Sequence, residues 1–184
     1  MTQEPILKSA TGDRSDKITI REARPEDAAA GIAYFRRLFG EPGINLITEA
    51  DEYYPTVESN SRVIRAMNRA ENSLFLVAEV EGRIVGILTL EGSKRRNVRH
   101  TAVLGITVAK EWRGQGVGRR LMIQAIEWAR QTGILQRIEL HVFARNEIAI
   151  ALYESLGFVV EGRRRNAVIR DGEYIDDLVM SLLL

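Results

Sequence analysis

The chain contains no cysteine. Disulfides, thiolate metal sites and a cysteine nucleophile are therefore excluded. Its only histidines, His100 and His141, lie far apart in sequence, which argues against a histidine-rich metal site, and no metal is expected. Neither sign of charge is in excess: 26 Lys and Arg stand against 25 Asp and Glu, a net charge of +1. That balance does not fit a dedicated nucleic-acid or membrane-surface protein. No apolar run approaches the roughly 20 residues of a membrane span, and no apolar signal-peptide core opens the chain. Neither nucleic acid nor membrane is expected as a partner, and the cytoplasm is the default location. What remains is a chain of 184 residues. That length suits one domain with a terminal extension, and it buries about 70% of its unfolded surface without staples.

Residues 1–17 are polar and aperiodic and read as a mobile arm, leaving 18–184 as the folded domain. Ile18 to Glu22 alternates as a half-buried strand does. Pro25-Glu26-Asp27 places a proline and two acids where a helix first turn favours them, and that helix runs to about Phe39. Gly40 to Pro55 reads as a loop and Val57 to Ala70 as a second helix. Leu74 to Glu91 reads as a hairpin turned at Glu81-Gly82. Lys94 to Asn97 is a further turn before a strand near Ala102 to Val108. Val117, Leu121, Ala125 and Trp128 recur at helical spacing, with Met122 and Ile126 beside them and Gly133 as the stop. Ile138 to Phe143 is a strand. Asn146 caps a helix carrying Ile148, Ala149, Leu152 and Leu156 on its period, closed by Gly157-Phe158. Val159-Val160 and Tyr174 to Leu182 form a last hairpin turned at Asp171-Gly172. The expected fold is a mixed α+β domain. Its central, mostly antiparallel twisted sheet has about seven strands, flanked by helices, with one right-handed parallel β-α-β pair.

The segment richest in chemical information is Trp112-Arg113-Gly114-Gln115-Gly116-Val117-Gly118-Arg119-Arg120, at a strand-to-helix junction. A glycine-rich turn at a helix N-terminus directs backbone N–H groups at one spot, where the helix dipole also favours negative charge. Glycines after a strand are often only turn residues. Three within five positions at the start of a helix exceed what a turn needs, since glycine costs about 1 kcal/mol relative to alanine inside a helix. A P-loop needs Gly-Lys-Ser/Thr five residues after its first glycine, and Arg119 stands there. The dinucleotide pattern Gly-x-Gly-x-x-Gly fails too, at Arg119 or, one register on, at Leu121. What is left is Arg113-x-x-Gly116-x-Gly118.

These residues resemble the acetyl-CoA-binding motif of the GNAT superfamily of N-acetyltransferases, Arg/Gln-x-x-Gly-x-Gly/Ala. The resemblance extends through Asn146, Tyr153 and Gly157-Phe158. The stretches Arg137 to Phe143 and Asp171 to Asp176 are similar to bacterial members that acetylate amino acids or related small amines. It covers roughly the second half of the chain, and the first half matches only in its order of elements. The resemblance implies a GNAT-like fold, acetyl-CoA as co-substrate and no metal. It implies that the N–H groups of Gly114, Gln115, Gly116, Val117, Gly118 and Arg119 grip the pyrophosphate, with Arg113 adding charge. It implies that the backbone of Ile106, Thr107 and Val108 pairs with pantetheine, one N–H stabilising the oxyanion. Gly105 suggests a bulge that ends local pairing and frees those groups; a glycine relieving a steric clash is the alternative. Asn146 and Tyr153 stand seven residues apart, so a helix puts them on one face about 10 Å apart, with small Ala149 between. Asn146 is also simply a good N-cap. The resemblance makes Tyr153 the general acid to the departing thiolate. Helix-end packing against Phe158 is its alternative role.

No general base is assigned: Glu91, Glu139, His141 and a water relay all stay open. With no cysteine, direct attack by the amine in a ternary complex is the simpler route. Glu41, Glu49, Asp51 and Glu52 would attract a cationic amine or serve only as a solvated loop, and Tyr53 and Tyr54 would line the pocket or cover the core. Lys94-Arg95-Arg96 and Arg163-Arg164-Arg165 read as turn and edge-strand charges. The expected activity is transfer of acetyl to the primary amine of a small molecule. The alternatives are the N-terminus of a ribosomal protein as acceptor, a non-catalytic acyl-CoA-binding module, and a nucleic-acid-binding domain. Related proteins are often dimers through their late strands or helices, so a homodimer is a further expectation.

Overall fold

The computed structural model describes residues 17–184; the arm expected over 1–17 lies, Lys17 apart, outside the described residues. Seven strands form one sheet: β1 (Thr19–Glu22), β2 (Leu74–Val80), β3 (Arg83–Gly92), β4 (Thr101–Val108), β5 (Arg137–Phe143), β6 (Val159–Arg170) and β7 (Glu173–Leu183), in the order β1-β2-β3-β4-β5-β7-β6. Only β4 and β5 run parallel, joined by the crossover helix α3 (Val117–Gln131). The other helices are α1 (Ala28–Phe39), α2 (Val57–Arg69) and α4 (Glu147–Glu154).

Each sheet face has its own core. Val117, Leu121, Met122 and Ala125 of α3 pack with Leu76, Leu88, Leu104 and Ile138 on one face. Tyr34 and Leu38 of α1 and Ile64 of α2 pack with Phe75, Val77 and Ile87 on the other. β2 and β3 are covered on both faces, so they read as nearly continuous apolar runs rather than alternating ones. Both predicted hairpin turns have two consecutive positive φ angles, Glu81 and Gly82 at 49° and 78°, Asp171 and Gly172 at 53° and 79°. That is the backbone of a type I′ turn, whose twist matches the flanking strands.

The last hairpin forms where expected, β6 against β7 around Asp171-Gly172; β7 inserts between β5 and β6, so the long β6 is the edge. Two expectations need correction. Gly105 makes no bulge, because β4 pairs with β3 in unbroken register from Gly86↔Val108 to Gly92↔Ala102. Ile148 does not face the core. It is 88% exposed, and the α4 residues packed on the core are Ala149, Ile150, Leu152 and Tyr153.

Candidate active site

The site arises where the sheet opens. Parallel pairing of β4 with β5 covers only Thr101↔Arg137 to Val103↔Glu139. Beyond that point the strands diverge, and Leu104 to Thr107 and Leu140 to Phe143 wall a cleft of about 450 Å³. The freeing of the β4 edge, expected from a bulge at Gly105, comes instead from this splay. Ile106 and Thr107 line the cleft. Val108, one residue further along the strand, accepts a hydrogen bond from Arg113 Nε at its carbonyl oxygen, at 2.8 Å.

The glycine loop follows. Gly114 and Gly116 have φ of +71° and +78°, a region that favours glycine, and a Cβ on either would meet nothing within 4 Å. Gly118 is ordinary helix backbone; its Cβ would sit 3.5 Å from Leu152 Cδ2, a normal contact. The start of α3 has no side-chain cap and no acidic residue in its first turn. Arg119 and Arg120 stand there instead. A helix N-terminus carries unpaired N–H groups and partial positive charge, so this arrangement is unfavourable alone and becomes favourable beside an anion. Arg119 also reaches Ser155 Oγ at 2.8 Å, tying α3 to the end of α4. The Gln115 amide donates to Glu111 O at 2.6 Å.

Arg113 is engaged in a way its sequence position did not reveal. Its guanidinium pairs with Glu41, whose other oxygen accepts the Lys110 N–H at 3.0 Å. Glu41, read from sequence as attracting a cationic amine or as a solvated loop acid, is bound instead to the segment that leads into the glycine loop. Glu49 is likewise committed to Arg170 at 3.3 Å, and Glu52 to the Glu49 backbone N–H at 2.9 Å. Tyr53 lines the cleft and packs on Phe35 and Phe39 at ring separations of 5.4 and 5.1 Å, whereas Tyr54 is 79% exposed. Glu41→Gln is expected to tighten acetyl-CoA binding by up to about fivefold, because an ion pair whose guanidinium is solvent-exposed is worth at most about 1 kcal/mol to the competition for Arg113. Calorimetry checks this; weaker binding would mean that Glu41 holds Arg113 in place for the phosphates.

Asn146 and Tyr153 both face the cleft. Asn146 does cap α4, its Oδ1 accepting the Ala149 N–H at 3.3 Å. Tyr153 is buried, and burial pushes its phenol up to about 12. Among the described residues nothing hydrogen-bonds its hydroxyl, and its only ring partner is Phe158 at 6.0 Å. The packing role holds as well: Phe158 N–H to Tyr153 O at 3.1 Å and Gly157 N–H to Glu154 O at 3.0 Å form a Schellman cap, with Gly157 at φ +92°. Of the three side chains weighed as a base, only His141 lines the cleft. Sequence reasoning missed two contributors. Tyr34 donates to Thr107 Oγ1 at 3.0 Å and steadies the β4 wall, and burial raises its phenol far above its ordinary range. Asp177 lines the cleft from β7 although it is 1% exposed. Among the described residues no cluster of metal-ligating side chains occurs, and no helix is long and apolar enough to cross a membrane.

Comparison with known proteins agrees with this geometry. The acetyltransferase (GNAT) family model matches residues 42–158, more than half of the chain. The L-amino acid N-acetyltransferase AaaT of Escherichia coli is 39% identical over 106 residues, covering 58% of this chain and 65% of that relative, so the match spans just under two thirds of its length. A GNAT acetyltransferase structure from Streptococcus pneumoniae superposes with a TM-score of 0.86 at 33% identity, covering 91% of this chain and 99% of that one. The ribosomal-protein-alanine N-acetyltransferase of Brucella melitensis superposes with a TM-score of 0.78 at 29% identity, covering 90% and 99%. With its splayed parallel pair, uncapped glycine-led helix and matched family model, this chain belongs to the GNAT family of acetyltransferases.

Proposed function

We propose that the protein transfers acetyl from acetyl-CoA to the primary amine of a small molecule, by direct attack within a ternary complex. The observation that carries the donor side is the start of α3, open, uncapped, free of acids and entered through two left-handed glycines. A pyrophosphate supplies the negative charge that this terminus lacks. The N–H groups of Gly114 to Arg119 grip it, and Arg113 adds charge from the loop. Pantetheine lies along Ile106 to Val108, in the gap left where β5 departs, and passes Asn146 and Ala149. One N–H of that strand stabilises the oxyanion, a contribution typically of about 3 kcal/mol. Tyr153 donates to the departing sulfur.

The acceptor enters from the opposite side of the sheet, between Phe35, Tyr53 and the loop residues Asn45 to Ile47. The modest volume of about 450 Å³ and the mixed apolar and amide lining suit a small amine. The likeness to a ribosomal-protein-alanine acetyltransferase keeps a protein N-terminus as the second reading. Thiol release from acetyl-CoA, followed over a panel of amino acids, polyamines and N-terminal peptides, separates the two readings. Turnover of a free small amine supports the first, and turnover confined to peptides supports the second. Tight acetyl-CoA binding with no thiol release from any acceptor would overturn both.

A further inference from the structure

Where the amine meets the thioester, one proton remains unassigned. At neutral pH a primary amine is mostly ammonium and has no lone pair to attack with. A base must face the cleft on the acceptor side. Glu91 lies outside the cleft lining. Glu139 is held by Arg137 at 2.8 Å and is likewise outside it.

His141 stands inside. It follows Glu139 by two residues on β5 and so shares its sheet face. Continuing the parallel register Val103↔Glu139 by two residues places Gly105 across the splay from His141, on the same face. Gly105 lines the cleft too, and having no side chain it leaves that approach clear. Behind His141 the contacts continue inward. Asp177 Oδ2 lies 3.4 Å from His141 Nδ1. Asp177 is in turn gripped by Arg164 of the edge strand β6, Nε to Oδ1 at 2.6 Å, with a second contact from the terminal nitrogen. Arg164 holds the Asp177 carboxyl below its usual range, and His141 adds to that effect, so the carboxylate is ionised wherever the enzyme would work. The other charged neighbour is Glu139, with Oε1 3.6 Å from His141 Nε2. The facing α1–α2 segment presents only uncharged groups, Phe35, Asn45 and Tyr53 among them.

From this geometry we infer that His141 is the general base of the reaction and that Asp177, anchored by Arg164, is its positioning residue. This rests on the acetyl-transfer reading above. The nearer carboxylate, buried Asp177 at Nδ1, favours the tautomer that carries its proton there, which leaves the Nε2 lone pair to accept. One proton moves from the ammonium nitrogen to Nε2, the nitrogen lone pair is freed for attack on the thioester carbon, and the proton leaves Nε2 for solvent. His141 makes and breaks no bond to carbon or sulfur. Glu139 stabilises the imidazolium while it exists.

The test is the pH profile of thiol release for the full chain, His141→Gln and Asp177→Asn, each with acetyl-CoA affinity measured alongside. For His141→Gln we expect at least about a tenfold loss of kcat at pH 7, with acetyl-CoA affinity within twofold. The loss should shrink as pH rises toward the amine's own pKa, where the substrate deprotonates unaided. For Asp177→Asn we expect a smaller loss, and the double variant should be no slower than His141→Gln alone, since both act through one group. A His141→Gln profile that matches wild type at every pH would overturn the base assignment while leaving acetyl transfer intact. Additive losses in the double variant would reduce Asp177 to a structural role. If the wild-type chain itself releases no thiol with any amine, the acetyl-transfer reading fails, and the base assignment with it.

Discussion

Gly116→Trp is expected to abolish acetyl-CoA binding, weakening it by at least about a hundredfold, while the protein stays folded. Gly116 sits at φ +78° immediately before the first turn of α3, and a Cβ there meets no protein atom within 4 Å. The indole therefore projects into the open space over the N–H groups of Val117, Gly118 and Arg119, where the pyrophosphate would lie. The cost to the fold is confined to one left-handed non-glycine residue, about 1–2 kcal/mol. A domain of this size tolerates that. Gly116→Ala is the control, because it carries the same backbone strain without the bulk. Loss in the tryptophan variant with retention in the alanine variant shows that the ligand occupies this space. Normal acetyl-CoA binding by a folded Gly116→Trp protein, measured by calorimetry with circular dichroism as the check on folding, would sink the phosphate-loop assignment.

Tyr153→Phe is expected to lower kcat by about a hundredfold, the low end for loss of a positioned acid, with acetyl-CoA affinity within twofold. The substitution removes only a hydroxyl that no protein group bonds among the described residues. The ring packing on Phe158 and the Schellman cap survive, since neither uses that oxygen. Burial raises the phenol to about 12, so it is fully protonated across the working range and always able to donate. The same shift widens its mismatch with a thiol, which ordinarily titrates near 8.5. Outright transfer to a finished thiolate would thus be uphill by roughly three to four units. Under the proposed reading the phenol would act while charge builds on the sulfur, as a hydrogen-bond donor whose contact strengthens in the transition state. A kcat effect without an affinity effect is the signature of such a contact. Unchanged turnover would remove Tyr153 from the mechanism.

Local signals carried most of the fold. Helix starts, the Gly133 and Gly157 stops and both hairpin turns were readable because each depends on a few adjacent residues: a proline at a first turn, or a glycine where φ must be positive. Arg113-x-x-Gly116-x-Gly118 was readable for the same reason, since loop and helix start are one continuous segment. The misreadings share a different cause. Gly105 looked like a bulge because glycine in a strand permits one, but its pairing depends on β3, residues away in sequence. Ile148 looked inward because helical spacing alone does not say which face meets the sheet. Glu41 and Glu49 of the α1–α2 loop looked available because their partners, Arg113, Lys110 and Arg170, are 69 or more residues away.

By itself, then, the sequence determined the donor class: the motif that resembles the family's acetyl-CoA loop is short and contiguous, and neighbouring residues suffice to specify it. The acceptor side was decided only by tertiary structure. Its cleft exists because β5 turns away from β4 after Val103, and because β7 slots in beside β5 and carries Asp177 to within 3.4 Å of His141. Those two residues lie in separate strands, and neither has a local pattern that marks it. Such long-range pairing is set by how the sheet closes on its two cores, and hydrophobic periodicity along the chain does not record it.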